Sequence, residues 1–326
     1  MIMYNRRHAV GVLAAMIGAA QMPGMVEAAL PKPRLAGRLG IQLYMLADEA
    51  TRDLSGTLKQ VHDIGYREVE LAGLLGKTAP QMRAALDQAC LVCPSVHTSF
   101  EPSAPGSPVL TDMPAAISII KAVGASNAVV AIYPCIQALM KRPDARTLFS
   151  DRSKLIAAVA EIGHAMTADD WIGFARQLNE KGAEFAKAGI RISYHNHNVE
   201  FVKLANGQTA YDLLVASTDP QLVSFELDIG WAASAGQDPV TLLERHRDRV
   251  TQLHLKDVSA GVTGTSFGIN SVDIGKGAID WKSLLGVLRR SNVQHVYVEE
   301  EPPFTSPAVE VAQTAYTFLA PRLAGS

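Results

Sequence analysis

Ile190-Arg-Ile-Ser-Tyr-His-Asn-His197, Val223-Ser-Phe-Glu-Leu-Asp-Ile-Gly230, Val250-Thr-Gln-Leu-His-Leu-Lys-Asp257 and His295-Val-Tyr-Val-Glu-Glu300 share one pattern: a short apolar, β-branched beginning and a polar, ionisable end. Runs of that length and composition read as buried strands of a parallel sheet. Four more lie towards the N-terminus, at Leu39–Leu46, Glu68–Ala72, Leu91–Ser99 and Asn127–Tyr133. Stretches with helical spacing separate them. Thr78-Ala-Pro80-Gln81 offers a helix N-cap, an early proline and a capping-box glutamine, and Ser306-Pro307 offers a cap followed by proline at the first helical position. Gly65, Gly124 and Gly189 stand where helices should close before a strand. Eight strand-then-helix units predict a single (β/α)₈ TIM barrel over residues 35–322. An open doubly wound sheet would want a glycine-rich phosphate loop after its first strand, and none follows Leu46. The longest connection, Pro134 to about Ala168, is expected to carry an extra helix and to form a lid.

The extreme N-terminus reads as an address. Asn5-Arg6-Arg7-His8 precedes the apolar run Ala9–Ala20, and Val26-Glu27-Ala28 offers a small-residue cleavage site, so residues 1–29 are expected to be a cleavable twin-arginine signal directing the protein to the periplasm. The run is short for a spanning helix, and no other segment suits a membrane anchor. Pro31-Lys32-Pro33 is a short tether. With 48% apolar and 19% charged residues, the 326-residue chain has the material for a large core. Its formal net charge of −2 and the lack of a basic run argue against a nucleic-acid partner. Self-association into a homo-oligomer stays open. The odd count of cysteines, Cys90, Cys93 and Cys135, excludes a disulfide framework, and the Cys90-Leu-Val-Cys93 spacing reads better as packing than as a redox or zinc motif.

Barrel enzymes keep their chemistry at the C-terminal ends of the strands. Alternation sends His195 with His197, Glu226 with Asp228, His254 with Lys256, and Glu299 with Glu301 each to one face, expected to be the inward one. Burying so many ionisable groups unpartnered would cost several kcal/mol each, by the order of magnitude usual for isolated charges. A tight salt-bridge network would relieve that cost, as would a divalent cation suited to mixed nitrogen and oxygen ligands, Mn²⁺, Co²⁺, Zn²⁺ or Fe²⁺.

Tyr194-His-Asn-His197-Asn-Val-Glu200-Phe201, Leu227-Asp228-Ile-Gly230-Trp231, His254-Leu-Lys256-Asp257, Asp273-Ile-Gly-Lys-Gly277-Ala-Ile-Asp280-Trp281 and Val298-Glu299 resemble, in order, the motifs of the xylose-isomerase-like TIM-barrel superfamily. Its members include sugar phosphate isomerases/epimerases, inosose dehydratases and lyases of oxidised glycosides. The resemblance spans essentially the whole chain after the signal. It implies a divalent metal on a strand-five glutamate, Asp228, His254 and Glu299; the strand-five position falls on or near His195, a departure that puts the paired-glutamate epimerase mechanism in doubt. The chemistry implied is metal-assisted proton abstraction next to a carbonyl. His197 is the first candidate for the base, His195 the second, and Glu299 can serve as ligand or base. Glu70, His97, Lys256, Trp231 and Tyr44 are candidate substrate contacts, Lys256 equally a partner for Asp228 or Glu226, and Glu200 could swing back to replace the missing carboxylate. Returning the proton gives an isomerase or epimerase. Expelling a β-substituent gives a carbon–oxygen lyase acting on a 3-keto-glycoside, a small-molecule carbohydrate for which the lack of an Arg/Lys cluster beyond Lys256 and Lys276 suits a non-phosphorylated form. Two alternatives stand beside this reading: a non-catalytic periplasmic sugar-binding protein, and an apurinic-site-type endonuclease, which would want a basic face and more metal ligands.

Overall fold

The computed structural model describes residues 35–101, 106–131, 134–261 and 264–324; the expected signal segment, 1–29, lies outside them. Eight strands form the ring: β1 Gly40–Gln42, β2 Glu68–Leu71, β3 Val92–Thr98, β4 Asn127–Ala131, β5 Arg191–His195, β6 Val223–Asp228, β7 Val250–Leu255 and β8 His295–Val298. Each pairs in parallel with the next, and β8 returns to β1, closing the barrel. All eight expected strands are present. Most end early: β5 stops at His195, β6 at Asp228 and β7 at Leu255. The reason is local hydrogen bonding at the rim. Asp228 leaves the ladder to cap the helix Ile229–Ser234, its Oδ1 accepting from the Trp231 N–H at 2.8 Å. After β1 the chain turns at once into a 3₁₀ turn, Leu43–Leu46, where the Gln42 side chain accepts from the Tyr44 N–H.

Helix ends follow the expected chemistry. Thr78 and Gln81 form a capping box on the helix Ala79–Gln88, with Pro80 in its first turn. Gly124, at φ +87°, closes Met113–Val123 in the left-handed region that suits glycine. The last helix, Ala308–Ala324, begins one residue later than Ser306-Pro307 suggested, with the Pro307 carbonyl accepting its first N–H groups.

Two layers of packing result. Alternate strand residues such as Val69, Leu71, Phe225, Leu227, Leu253 and Leu255 are buried in an apolar core shared with the helices, among them Trp171, Phe174 and Phe185 of Ala168–Ala186. The intervening residues make the inside of the ring polar. At its lower end Glu68 accepts from Arg38 Nε and pairs with His295 Nδ1, each at 2.7 Å. Above it lies an interlinked layer: Gln252 Nε2 donates to Glu226 Oε1 at 2.7 Å and to Ser95 Oγ at 3.1 Å, while Ser95 Oγ donates to Glu70.

The connection after β4 carries three helices rather than one: Cys135–Met140, Ala145–Phe149 and Arg152–Ala165. They build a small second core from Cys135, Leu139, Leu148, Ala158 and Val159, which meets the ring side of the molecule at Val199. A further loop is organised by a single buried carboxylate. Asp257 Oδ1 accepts from the N–H groups of Val258 and Ile279, and Oδ2 accepts from those of Gly275 and Gly277 and from Trp281 Nε1 at 2.8 Å. A Cβ at position 277 would lie 2.2 Å from Asp257 Oδ1, which accounts for that glycine. Asp257→Ala leaves these donors without their acceptor. It is expected to lower the unfolding free energy by about 3 kcal/mol or more, read as an earlier urea midpoint, with accelerated hydrogen exchange confined to residues 273–281.

Candidate active site

Strand register sets the site. His195 is opposite Glu226, Asp228 opposite His254, and His254 opposite Tyr297, so the polar strand ends meet at one level above the Glu70–Gln252 layer. One ligand atom from each of His195, Asp228, His254 and Glu299 lies within 4.8 Å of the others, and all four residues are buried. A second, overlapping group joins His97 and Glu226 to His195 and His254 within the same distance. His254 belongs to both through different nitrogens: Nδ1 lies 2.8 Å from Glu299, while Nε2 lies 2.7 Å from Glu70.

The upper group fits a divalent ion by the chemistry of its donors, two imidazoles and two carboxylates. The buried Asp228 Oδ2 has no hydrogen bond, although Lys256 Nζ lies 2.9 Å from it in ion-pair contact. Lys256 also touches Glu299 at 2.8 Å and Glu301 at 3.3 Å. Its aliphatic stem runs over Gly230, where an added Cβ would come within 2.7–2.9 Å of the lysine Cγ, Cβ and Cδ. Gly230→Ala therefore overpacks the one route the lysine has. We expect a loss of about 1–3 kcal/mol of stability by thermal or urea unfolding, with lower turnover because the ammonium is displaced.

Burial, reinforced by neighbouring positive groups, pushes the imidazoles of His195 and His197 well below the ordinary histidine range. Burial raises the carboxyl of Glu226 to about 7 and that of Asp228 to about 6. His97 and His254 behave oppositely: burial opposes their charge, but Glu70 and Glu226 raise His97 to about 9, and Glu226, Glu299 and Glu70 hold His254 well above its usual value. The interior thus binds positive charge wherever it can.

Above the donors lies a cavity of about 370 Å³ lined by His97, His195, His197, Trp231, Glu299, Glu301 and Tyr44. Its remaining wall is apolar, from Phe267 and the roof residues Ile136, Phe149, Leu155 and Ile156. His197 sits in this wall with its ring centroid 4.8 Å from Trp231 and 5.2 Å from Phe267, and its Nδ1 has no hydrogen-bond partner. Trp231 and Phe267 stack at 5.4 Å with an 8° tilt. Tyr44 stands at the rim, 41% exposed.

Three expectations need correction. Glu70 does not reach the cavity; it is fully buried beneath it, contacted by Gln42, Ser95, His97 and His254. Lys256 is likewise wholly buried: of its two expected roles the structure shows the pairing with Asp228, extended to Glu299 and Glu301, and not a place on the cavity wall. Glu200 is held in place, accepting from Tyr194 Oη at 2.6 Å and from the His197 N–H at 2.8 Å, and it belongs to neither donor group. Cys93 and Cys135 pack in the interior as expected, the Cys93 thiol pushed by burial up to about 12, but Cys90 is exposed. The Gln42–Ser95–Gln252 layer and Phe267 were not foreseen. Neutral residues inside a strand carry no motif, and Phe267 lies in an irregular loop without periodicity.

The model of one protein family, the xylose isomerase-like TIM barrel, matches residues 58–321. The chain belongs to this family. Among curated relatives, the inosose dehydratase of Lactiplantibacillus plantarum is 28% identical over 209 residues, covering 60% of this chain and 65% of that protein. The chain thus spans less than two thirds of the length of the curated relatives it matches first. A sugar phosphate isomerase/epimerase structure from Parabacteroides distasonis superposes with a TM-score of 0.66 at 23% identity, covering 92% of this chain and 98% of that one. The IOLI protein with a bound zinc atom superposes with a TM-score of 0.61 at 14% identity, covering 88% and 98%. At these identities the likeness to the two solved structures is one of fold. No helix among the described residues is long and apolar enough to cross a membrane.

Proposed function

We propose that this barrel is a divalent-metal-dependent carbohydrate enzyme that removes a proton next to a carbonyl and expels a β-substituent, acting on 3-keto-glycosides as a carbon–oxygen lyase. The observation that carries the reading is the asymmetry at the end of β5. His195 stands in the upper donor group where a paired acid and base would need a second carboxylate, and Glu200, the one candidate to replace it, is held by Tyr194 and the His197 backbone. Dehydratases among the curated relatives support loss of a group over return of a proton.

His195, Asp228, His254 and Glu299 would hold the cation, which when bound supplies Lewis acidity to the carbonyl and the neighbouring hydroxyl. The remaining work falls to side chains. His197 lines the cavity, and its imidazole takes the proton from the carbon beside the carbonyl. The bond from the anomeric carbon to the leaving oxygen breaks as the new double bond forms, and the leaving oxygen takes up one proton, so the net loss is one alcohol. Trp231 and Phe267 form the flat apolar wall against which a sugar ring can lie.

The test offers the metal-loaded protein 3-keto-glycosides and free ketoses in deuterated water, followed by NMR. Release of the aglycone is expected; rapid interconversion of ketoses with keto-glycosides left intact would overturn the reading. His195→Glu should bind metal normally, lose elimination and gain epimerisation, because it restores two carboxylate faces.

A further inference from the structure

Beneath the upper donors, three imidazoles converge on one carboxylate oxygen. Glu226 Oε2 lies 2.9 Å from His195 Nδ1, 3.2 Å from His254 Nε2 and 3.6 Å from His97 Nε2. Among the described residues no lysine or arginine comes within ion-pair distance of Glu226 or of its neighbour Glu70, whose ionic contacts are histidines only. Their other partners are neutral: Gln42 Nε2 donates to Glu70 at 2.8 Å and Gln252 Nε2 to Glu226 at 2.7 Å. A second observation points to a missing positive group in this layer. Gln252 is fully buried, and its Oε1 has no hydrogen-bond partner although its Nε2 is shared among Glu226, Ser95 and Glu70.

The placement of charge points the same way. The Lys256 ammonium reaches Asp228, Glu299 and Glu301, and among the described residues no lysine or arginine reaches Glu70 or Glu226 below them. A cation held between Glu226 and the three imidazoles would supply positive charge at the depth the ammonium does not reach. Buried charge without a counter-ion is among the costliest arrangements in a protein interior.

We infer that the barrel has a second, deeper cation position formed by His97, His195, Glu226 and His254. Three nitrogens and one carboxylate oxygen suit a zinc-class ion rather than Mg²⁺ or Ca²⁺, which favour all-oxygen surroundings. His195 and His254 belong to both donor groups; His254 Nδ1 faces Glu299 and its Nε2 faces Glu226, and any ring that bridges two filled positions gives up its N–H proton to solvent. His97 and Glu226 belong to the deeper position alone; Asp228 and Glu299 belong to the upper one alone.

That division makes the test specific. The full-length chain is stripped with chelator and dialysed against Zn²⁺, and bound zinc per chain is measured by elemental analysis, with circular dichroism to establish folding. The wild type should keep two equivalents, and His97→Ala, Glu226→Gln and Asp228→Asn should each keep one. A wild type with one equivalent that survives Asp228→Asn and disappears in His97→Ala keeps the deeper position while removing the upper one. Zinc content unchanged by both His97→Ala and Glu226→Gln overturns the inference, as does a wild type that binds no zinc. Should these variants fail to fold, X-ray absorption on the zinc-loaded wild type decides: three imidazoles at an ion require the deeper position, and two at every ion exclude it.

Discussion

Asp228→Asn is expected to lose the ion of the upper donor group and to reduce turnover beyond the roughly 10–100-fold typical of losing an outer partner of a metal ligand. Asparagine keeps the shape and the Oδ1 cap on Ile229–Ser234, so the helix start survives. Alanine would remove that cap as well, at a cost of about 0.5–2 kcal/mol, and would confuse loss of fold with loss of metal. The asparagine variant removes the negative charge of the carboxylate whose Oδ2 is buried without a hydrogen bond. Metal content and turnover measured together check the expectation, and wild-type values for both would exclude Asp228 as a ligand.

Lys256→Met should have the largest effect on stability. The ammonium is wholly buried and sits 2.9 Å from Asp228 and 2.8 Å from Glu299. Removing one partner of such a pair strands the other charge in a low-dielectric interior, typically at about 3–5 kcal/mol. The metal-free variant should unfold at a clearly lower urea concentration than the metal-free wild type. Excess Zn²⁺ should narrow the gap, because a cation binding only the folded chain replaces the missing charge. An unchanged midpoint in chelator would show that Lys256 is not the counter-ion of these carboxylates.

The strands and the strand-end donors were legible because both have short-range signatures. A buried parallel strand shows as an apolar run, and ionisable residues at the end of one stand out. Alternation was enough to place Glu226 beside Asp228 and His254 beside Lys256. What alternation cannot give is depth along the barrel axis. Glu70 and Glu299 both face inward, yet one lies under the histidines and the other lines the cavity, a difference set by the register between strands. The register shift between Glu68 and Glu70 has no mark in the sequence. Lys256 was foreseen as a contact for substrate or as a partner of Asp228 or Glu226; the position of Gly230 beneath its stem and the reach of Glu299 and Glu301 settle where its charge goes. Asp257 and the Asp273–Trp281 loop were visible as motifs, but that one is the anchor of the other depends on contacts across more than a dozen intervening residues.

The three helices after β4 bury their apolar side chains against one another around Leu139, Leu148 and Val159, and join the rest at Val199, just beyond the β5 histidines. The three helices thus have a core of their own beside the main one. Evolution can exchange such a cassette, or redraw Phe149, Leu155 and Ile156 on its inner face, without disturbing the ladder or the ionisable layer below. Descendants of one ancestral barrel can in this way diverge in the molecules they admit while inheriting the same reactive floor, and a laboratory library confined to these helices would explore selectivity at little risk to the fold.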